Sequence, residues 1–262
     1  MKKTILLTND DGILSPGIQH LKEYLSERYT VVVVAPDRER SAISMSLTLN
    51  RPIRMHRVSD HEFAVDGTPA DCINLALNEI MPRWPDFVVS GMNQGENLCE
   101  DVYFSGTVAG AFTARMYGIP AMAVSLIAAP NAKDKMNLSQ GNGNRYDFSV
   151  GSYFTGYVLD KLLPIPDPNG IYNLNIPTYS GRDAQIMITH PGLKRYKPSV
   201  VKRLDPRDRE YFWIGTGSPD TVGEKGTDLY AISNGHISLS ILKHRLIDMD
   251  ETKKLLALFS EK

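Results

Sequence analysis

Four short, nearly unbroken apolar runs divide the first half of the chain: Thr4-Ile5-Leu6-Leu7, Val31-Val32-Val33-Val34-Ala35, Phe87-Val88-Val89 and Ala121-Met122-Ala123-Val124-Ser125-Leu126. Runs of this length, without polar alternation, predict strands buried on both faces, as in a parallel sheet. The stretches between them have helical spacing. From Pro16 to Glu27, apolar or aromatic residues recur at Ile18, Leu21, Tyr24 and Leu25. Thr68 to Ile80 opens with a threonine N-cap, a proline at the first helical position and Asp71 in the first turn. Ser105 to Tyr117 is rich in small residues and stops before Gly118. Strand and helix alternate, so the first half predicts a doubly wound, mostly parallel α/β sheet.

Beyond it, Ala128 to Asn144 is polar and rich in glycine and asparagine, and reads as a long surface loop. Val150 to Leu163 reads as a further helix, and Asn173 to Pro177 as a last core strand. The texture then changes. Strand-like runs at 184–189 and 237–242 are separated by charged and glycine-rich segments, which predicts hairpins rather than βαβ units. Met249 to Phe259 has the pattern of a short amphipathic helix. We therefore expect a catalytic core over residues 1–180 and a C-terminal hairpin region with a terminal helix over 181–262.

The 262 residues are 42% hydrophobic and 23% charged, with a formal net charge of −1, which gives no electrostatic case for nucleic acid or a membrane surface as main partner. Cys72 and Cys99 form neither a CxxC pair nor a disulfide framework, so a reducing cytoplasm is expected. The start MKKTILL imitates a signal peptide, but NDDG interrupts its apolar stretch.

In an open α/β sheet, ligands bind outside the carboxyl ends of the strands. Those ends carry Asn9-Asp10-Asp11-Gly12, then Asp37 to Ser41, then Ser90 to Gly95. Their donors are oxygen and nitrogen, with several carboxylates and no clustered His or Cys, which suits a hard divalent cation. Adjacent Asp10 and Asp11 repel, each raising the other's pKa unless positive charge sits nearby. On an extended strand they point to opposite faces, so both reach one ion only if the chain turns, and Gly12 can take the positive φ of such a turn. Asp37 is open between a cap and a pair with Arg38 or Arg40, and the basic stretch from Arg51 to Arg57 reads as a solvated strand edge. At Ser105-Gly106-Thr107, a helix of small residues opens with free N–H groups, an anion site suited to phosphate. A carboxylate-lined cation site beside an anion-binding helix end points to metal-assisted phosphoryl hydrolysis.

The segments TNDDGILSPGI, VVAPDRERSAIS, DGTPADCINLAL, VSGMNQGENLCEDVYFSGTVAGA and GTDLYAISNGHISLSIL occur in the order found in the survival protein SurE family, which the chain resembles from residue 4 to about 242. The resemblance implies a Rossmann-like, three-layer fold whose C-terminal hairpins exchange between subunits into a homodimer or homotetramer. It implies a metal-dependent phosphatase of nucleoside 5'- and 3'-monophosphates, with a side activity on short polyphosphate. It implies one magnesium or manganese ion per subunit, held by Asp10, Asp11, Ser41 and Asn93. Asn9, Asn97, Ser105, Gly106 and Thr107 would surround the scissile phosphate. Two departures stand out: Cys99 replaces a glycine, and Ala42-Ile43-Ser44 replaces a glycine-containing run.

On this reading hydrolysis is direct. Asp10, Asp11 and Asn97 are the catalytic candidates, and either aspartate is open as the base for the attacking water. Three alternatives compete. An aspartyl-phosphate phosphatase would use Asp10 as nucleophile, but such enzymes commonly place two carboxylates as DxD rather than DDG. A dinucleotide oxidoreductase expects GxGxxG after the first strand, where NDDGILSPG stands. A non-catalytic nucleotide sensor would bind without turnover.

Overall fold

The computed structural model describes residues 2–128, 146–165, 169–181, 183–216, 219–243 and 249–260. The loop read at 128–144 therefore lies, apart from residue 128, outside the described residues. In chain order the elements are β1 (Thr4–Thr8), α1 (Pro16–Ser26), β2 (Thr30–Pro36), β3 (Met55–Ser59), β4 (Glu62–Val65) and α2 (Pro69–Leu75, continued by a wider turn over Ala76–Ile80). Then come β5 (Phe87–Gln94), a 3-10 turn (Cys99–Tyr103), α3 (Gly106–Met116), β6 (Ala121–Ile127), α4 (Phe148–Leu162) and β7 (Ile171–Pro177). The C-terminal part holds β8 (Ile186–Thr189), β9 (Leu193–Arg195), β10 (Pro198–Leu204), β11 (Glu210–Thr216), β12 (Asp220–Val222), α5 (Asp228–Ser233), β13 (Ile237–Leu242) and α6 (Met249–Ser260).

One nine-stranded sheet runs in the order β3-β4-β2-β1-β5-β6-β7-β13-β8. Its six strands from β4 to β7 are parallel. The unbroken apolar runs explain the layering. Successive side chains alternate faces, so Ile5 and Leu7 pack with Ile18, Leu21 and Leu25 of α1 and with Phe154, Val158 and Leu159 of α4. Leu6, between them, faces Cys72 and Ile73 of α2 and Val108, Ala111 and Ala114 of α3. Both faces of β1 are thus buried, which is why its sequence shows no alternation. The small residues of α3 serve the same end, since Ala111 and Ala114 are fully buried against the sheet. Thr68 forms a reciprocal capping box with Asp71 at the start of α2.

The C-terminal texture resolves into two parts. β10 and β11 form a regular antiparallel hairpin, and β9 pairs with β12. The runs at 184–189 and 237–242 do not form a hairpin with each other. β8 and β13 lie parallel, and β13 adds antiparallel to β7, so both extend the central sheet. Fully buried Ile237 belongs to the same apolar cluster as Leu174 and Ile176, and that shared burial draws β13 onto the sheet.

Chain reversal fixes the position of the ligand edge. From β1 the chain winds outward through β2 on one side, and β5 returns to the other side of β1. The carboxyl ends of β1 and β5 therefore flank the topological switch point.

Candidate metal and phosphate site

At that edge a cleft of about 550 Å³ is lined by Asp10, Asp11, Glu39, Ser41, Ala42, Asn93, Gln94, Asn97, Asp101, Phe104, Ser105 and Tyr146. Six of the nine residues singled out by sequence thus line one cavity: Asp10, Asp11, Ser41, Asn93, Asn97 and Ser105. The other three lie behind its wall. Asn9 is fully buried, and its amide donates to the Gly12 carbonyl (2.9 Å) and to Ser15 Oγ (2.8 Å). It holds the DDG turn rather than facing the cleft. Gly12 has φ +97°, the left-handed geometry that lets the chain turn directly after the pair.

Asp10 is held by α3. The Thr107 N–H donates to Asp10 Oδ2 at 3.1 Å, and the Thr107 hydroxyl donates to Oδ1. Helix amides and the helix dipole therefore point at this carboxylate. Gly106 is required for the approach, because a Cβ there would lie 2.8 Å from Asp10 Cβ. Ser105 caps α3 through its Oγ, which accepts from the Val108 N–H at 3.0 Å. The Arg40 N–H donates to the Asp10 carbonyl at 2.7 Å, which draws the segment carrying Ser41 to the rim of the cleft.

Asn97 is fixed by the strand ends of β6 and β7. Its N–H donates to Asn175 Oδ1 (3.0 Å), its carbonyl accepts from the amides of Asn173 (2.9 Å) and Asn175 (3.1 Å), and its own amide donates to Ser125 Oγ (2.8 Å). All four residues are buried, and these bonds lock Asn97 in place, with Asn173 Oδ1 left without a partner.

Burial is the largest influence on both aspartates. It raises Asp10, against the opposing pull of the Thr107 hydroxyl and the amides of Thr107 and Gly106. It pushes Asp11 up to about 7, with the Asp10 charge adding to the rise and the Gln94 N–H opposing it. Asp11 Oδ2 is buried without a hydrogen-bond partner.

The donor set suits a hard divalent ion. Asp11 Oδ2 lacks a partner. Asn93 turns its amide nitrogen to the Gly95 carbonyl (3.0 Å), which frees its Oδ1. Ser41 donates to Glu39 (2.8 Å) and keeps its oxygen lone pairs. Neither sulfur nor imidazole lines the cleft among the described residues.

Sequence reasoning passed over Glu39, Asp101 and Phe104, although each lies inside a quoted segment. Asp101 and Glu96 both accept from Lys194 of β9, the latter at 2.7 Å, so the C-terminal region braces the wall. Burial raises Asp101 despite that cation. The open alternatives at Asp37 resolve as pairs with Arg40 (3.5 Å) and Arg38 (3.8 Å). Arg51 pairs with Asp66 and Arg57 with Asp60, and β3 is exposed throughout, as a solvated strand edge should be. Cys99, in the position where a glycine was expected, has φ +50°, and Ala42 and Ser44 have φ +55° and +53°. Both departures from the family pattern thus fall on left-handed backbone. The Cys99 thiol is buried and donates to Asp228 Oδ1 (3.4 Å), and burial together with that carboxylate pushes it well up.

The chain is similar to known proteins along nearly its whole length. The family model described as Survival protein SurE matches residues 5–198. A protein of Citrifermentans bemidjiense named 5'-nucleotidase SurE is 41% identical over 239 residues, 91% of this chain and 92% of its own length. One of the same name from Geotalea uraniireducens is 39% identical over 257 residues, 97% of each chain. The crystal structure of the SurE protein from Aquifex aeolicus superposes with a TM-score of 0.81 at 36% identity, covering 98% of this chain and all of that one. With the strand-end motifs gathered in one cleft and the match running almost end to end, the chain belongs to the survival protein SurE family.

Proposed function

We propose that the chain hydrolyses nucleoside 5'- and 3'-monophosphates to nucleoside and phosphate, with one magnesium or manganese ion per subunit. The observation that carries this reading is the Asp10-Asp11 pair, the first buried and the second half-buried, at a cleft that no Lys or Arg lines among the described residues. Two adjacent carboxylates in that setting call for a cation. Asp10, Asp11, Ser41 and Asn93 are the residues that would hold it. When bound, it supplies positive charge to the pair and Lewis-acid polarisation of a phosphate oxygen.

The chain's own groups perform the rest. Asn97 and Ser105, which line the cleft, hold the phosphate as charge moves to the leaving oxygen, while Gly106 and Thr107 hold Asp10 from behind the wall. Water adds to phosphorus, the ester P–O bond breaks, and the water's proton goes to a carboxylate and from there to the departing nucleoside oxygen. Asp11 is the better acceptor. Asp10's two oxygens already take the Thr107 hydroxyl and amide, whereas Asp11 Oδ2 has no donor. The same contacts speak against Asp10 as a nucleophile, since donors on both oxygens withdraw the electron density an attack needs. Short polyphosphate is at most a side substrate, because its extra charges would meet Glu39 and Asp101 at the rim.

The apolar, exposed hairpin β10–β11, with Val200, Phe212, Trp213 and Ile214 open to solvent, suits exchange between subunits in a homodimer or homotetramer. A cytoplasmic site of action is consistent with two unpaired, buried cysteines. No helix among the described residues is long and apolar enough to cross a membrane.

The test is a panel of phosphate monoesters and nucleotides assayed with magnesium, manganese or chelator, on the wild type and Asp10→Asn. We expect metal-dependent release of phosphate from nucleoside monophosphates and a loss of at least ~100-fold in the variant. Turnover that persists in chelator, or none with either metal, would sink the proposal. A phosphorylated Asp10 trapped by rapid quench would favour the covalent alternative.

A further inference from the structure

One wall of the cleft is unlike the others. Phe104 is its one large purely apolar side chain among the described residues, and the ring is 58% exposed. An exposed phenylalanine inside a cleft lined by carboxylates, amides and hydroxyls has no packing reason to be there. The ring is nevertheless anchored. Phe104 directly precedes Ser105, the N-cap of α3. Its N–H donates to the Asp101 carbonyl (3.0 Å) and its carbonyl accepts from the Ser44 N–H (3.1 Å). Tyr196 packs perpendicular to it at 6.3 Å between ring centroids, and the residue stays more than half exposed beside that one ring contact. Tyr146, the other aromatic residue of the lining, packs instead on Phe148 at 6.0 Å.

Charge narrows what this face receives. The cleft carries Asp10, Asp11, Glu39 and Asp101 and, among the described residues, no Lys or Arg. Further anionic groups on the substrate beyond its phosphate are therefore disfavoured, and a flat apolar face favours a flat partner. We propose that Phe104 is the platform on which the purine or pyrimidine ring of the substrate stacks. It would be the residue that distinguishes nucleoside monophosphates from other phosphate monoesters. The inference rests on the nucleotidase reading above. It adds that the base itself is bound, and where.

The experiment compares adenosine 5'-monophosphate with ribose 5-phosphate, with manganese, on the wild type, Phe104→Ala and Phe104→Tyr. Base–aromatic stacking at the low end of its range corresponds to about five- to ten-fold in affinity. We expect the ratio of kcat/KM for the nucleotide over the sugar phosphate to fall by about that factor in Phe104→Ala, through KM, and to survive in Phe104→Tyr. Equal losses on both substrates would show a structural role and overturn the proposal, as would an unchanged ratio. A second measurement is independent of catalysis: adenosine binding by calorimetry to the full chain, weakened in Phe104→Ala and retained in Phe104→Tyr. If the wild type turns over neither ester, the nucleotidase reading fails, and adenosine binding alone decides on the platform. Adenosine affinity that is the same in Phe104→Ala and wild type overturns it.

Discussion

Asp11 lends itself to a thermodynamic test that needs no substrate. Burial and the neighbouring Asp10 charge lift it from 3.8 to about 7. In the unfolded chain the same carboxyl titrates near its ordinary value. Between those two pH values the folded metal-free protein holds a proton that the unfolded chain has released. The folded state is therefore favoured at low pH, and that advantage is lost as pH rises through about 7. Each pH unit in the window is worth ~1.4 kcal/mol, so going from pH 5 to 7 costs at most ~3 kcal/mol. Halving this for the part of Asp11 that faces the open cleft leaves ~1.5 kcal/mol. For a domain of this size that is a fall in Tm of roughly 3–5 °C.

The assay is thermal melting in chelator at pH 5, 6, 7 and 8. Asp11→Asn, which carries no charge at any of these values, should lose Asp11's share of this slope, keep the share of Asp10, which burial also raises, and be more stable than the wild type at pH 8. Manganese at pH 8 should raise the wild-type Tm more than that of the variant, because it offsets a repulsion the variant lacks. The reasoning fails if Asp11→Asn keeps the wild-type slope, or if the two proteins melt together at pH 8.

Two further outcomes follow from the same geometry. Thr107→Val removes the hydroxyl that donates to Asp10 but keeps the N–H, so manganese activation should weaken by roughly 10–100-fold with the fold intact by circular dichroism. An unchanged activation constant would show that Thr107 does not orient the ligand. Cys72 and Cys99 are both buried, with thiols held up by burial, so native protein at pH 8 should show no fast-reacting thiol towards Ellman's reagent. Two should appear on unfolding in guanidinium, and one fast thiol in the native state would contradict the burial of Cys99.

The central layer was legible because burial on both faces leaves a strong mark: Val31 to Ala35 has no polar position to spare. The DDG turn was legible because glycine after two like charges has few other uses. Other features left weaker signals. α5 has only six residues and no full amphipathic repeat, so it vanished among the C-terminal strands. The pairing of β13 with β7 joins segments far apart in sequence, and local pattern does not encode which strand meets which. Asn173 and Asn175 read as polar interruptions of a strand. Only their meeting with Asn97 shows that they hold a site residue. Left-handed backbone is normally announced by glycine, and at Ala42, Ser44 and Cys99 that announcement is missing.

The opening electrostatic problem, two aspartates side by side, is answered by giving them unequal surroundings. Asp10 is enclosed by the start of α3, where the Thr107 hydroxyl and the amides of Gly106 and Thr107 favour its charged form against the cost of burial. Asp11 has the Gln94 N–H as its opposing contact and an oxygen without a partner. A pair whose environments differ in this way divides labour: the donors of α3 fix one carboxylate in place, and the other keeps an oxygen open to a proton. This division depends on Gly106, because any side chain there would push α3 away from Asp10 and remove the donors that make the two different. The start of α3 and the DDG turn are therefore not two motifs that happen to be neighbours. The helix end that on the proposed reading adjoins the phosphate is the same one that holds the first aspartate, and disturbing either should disturb both.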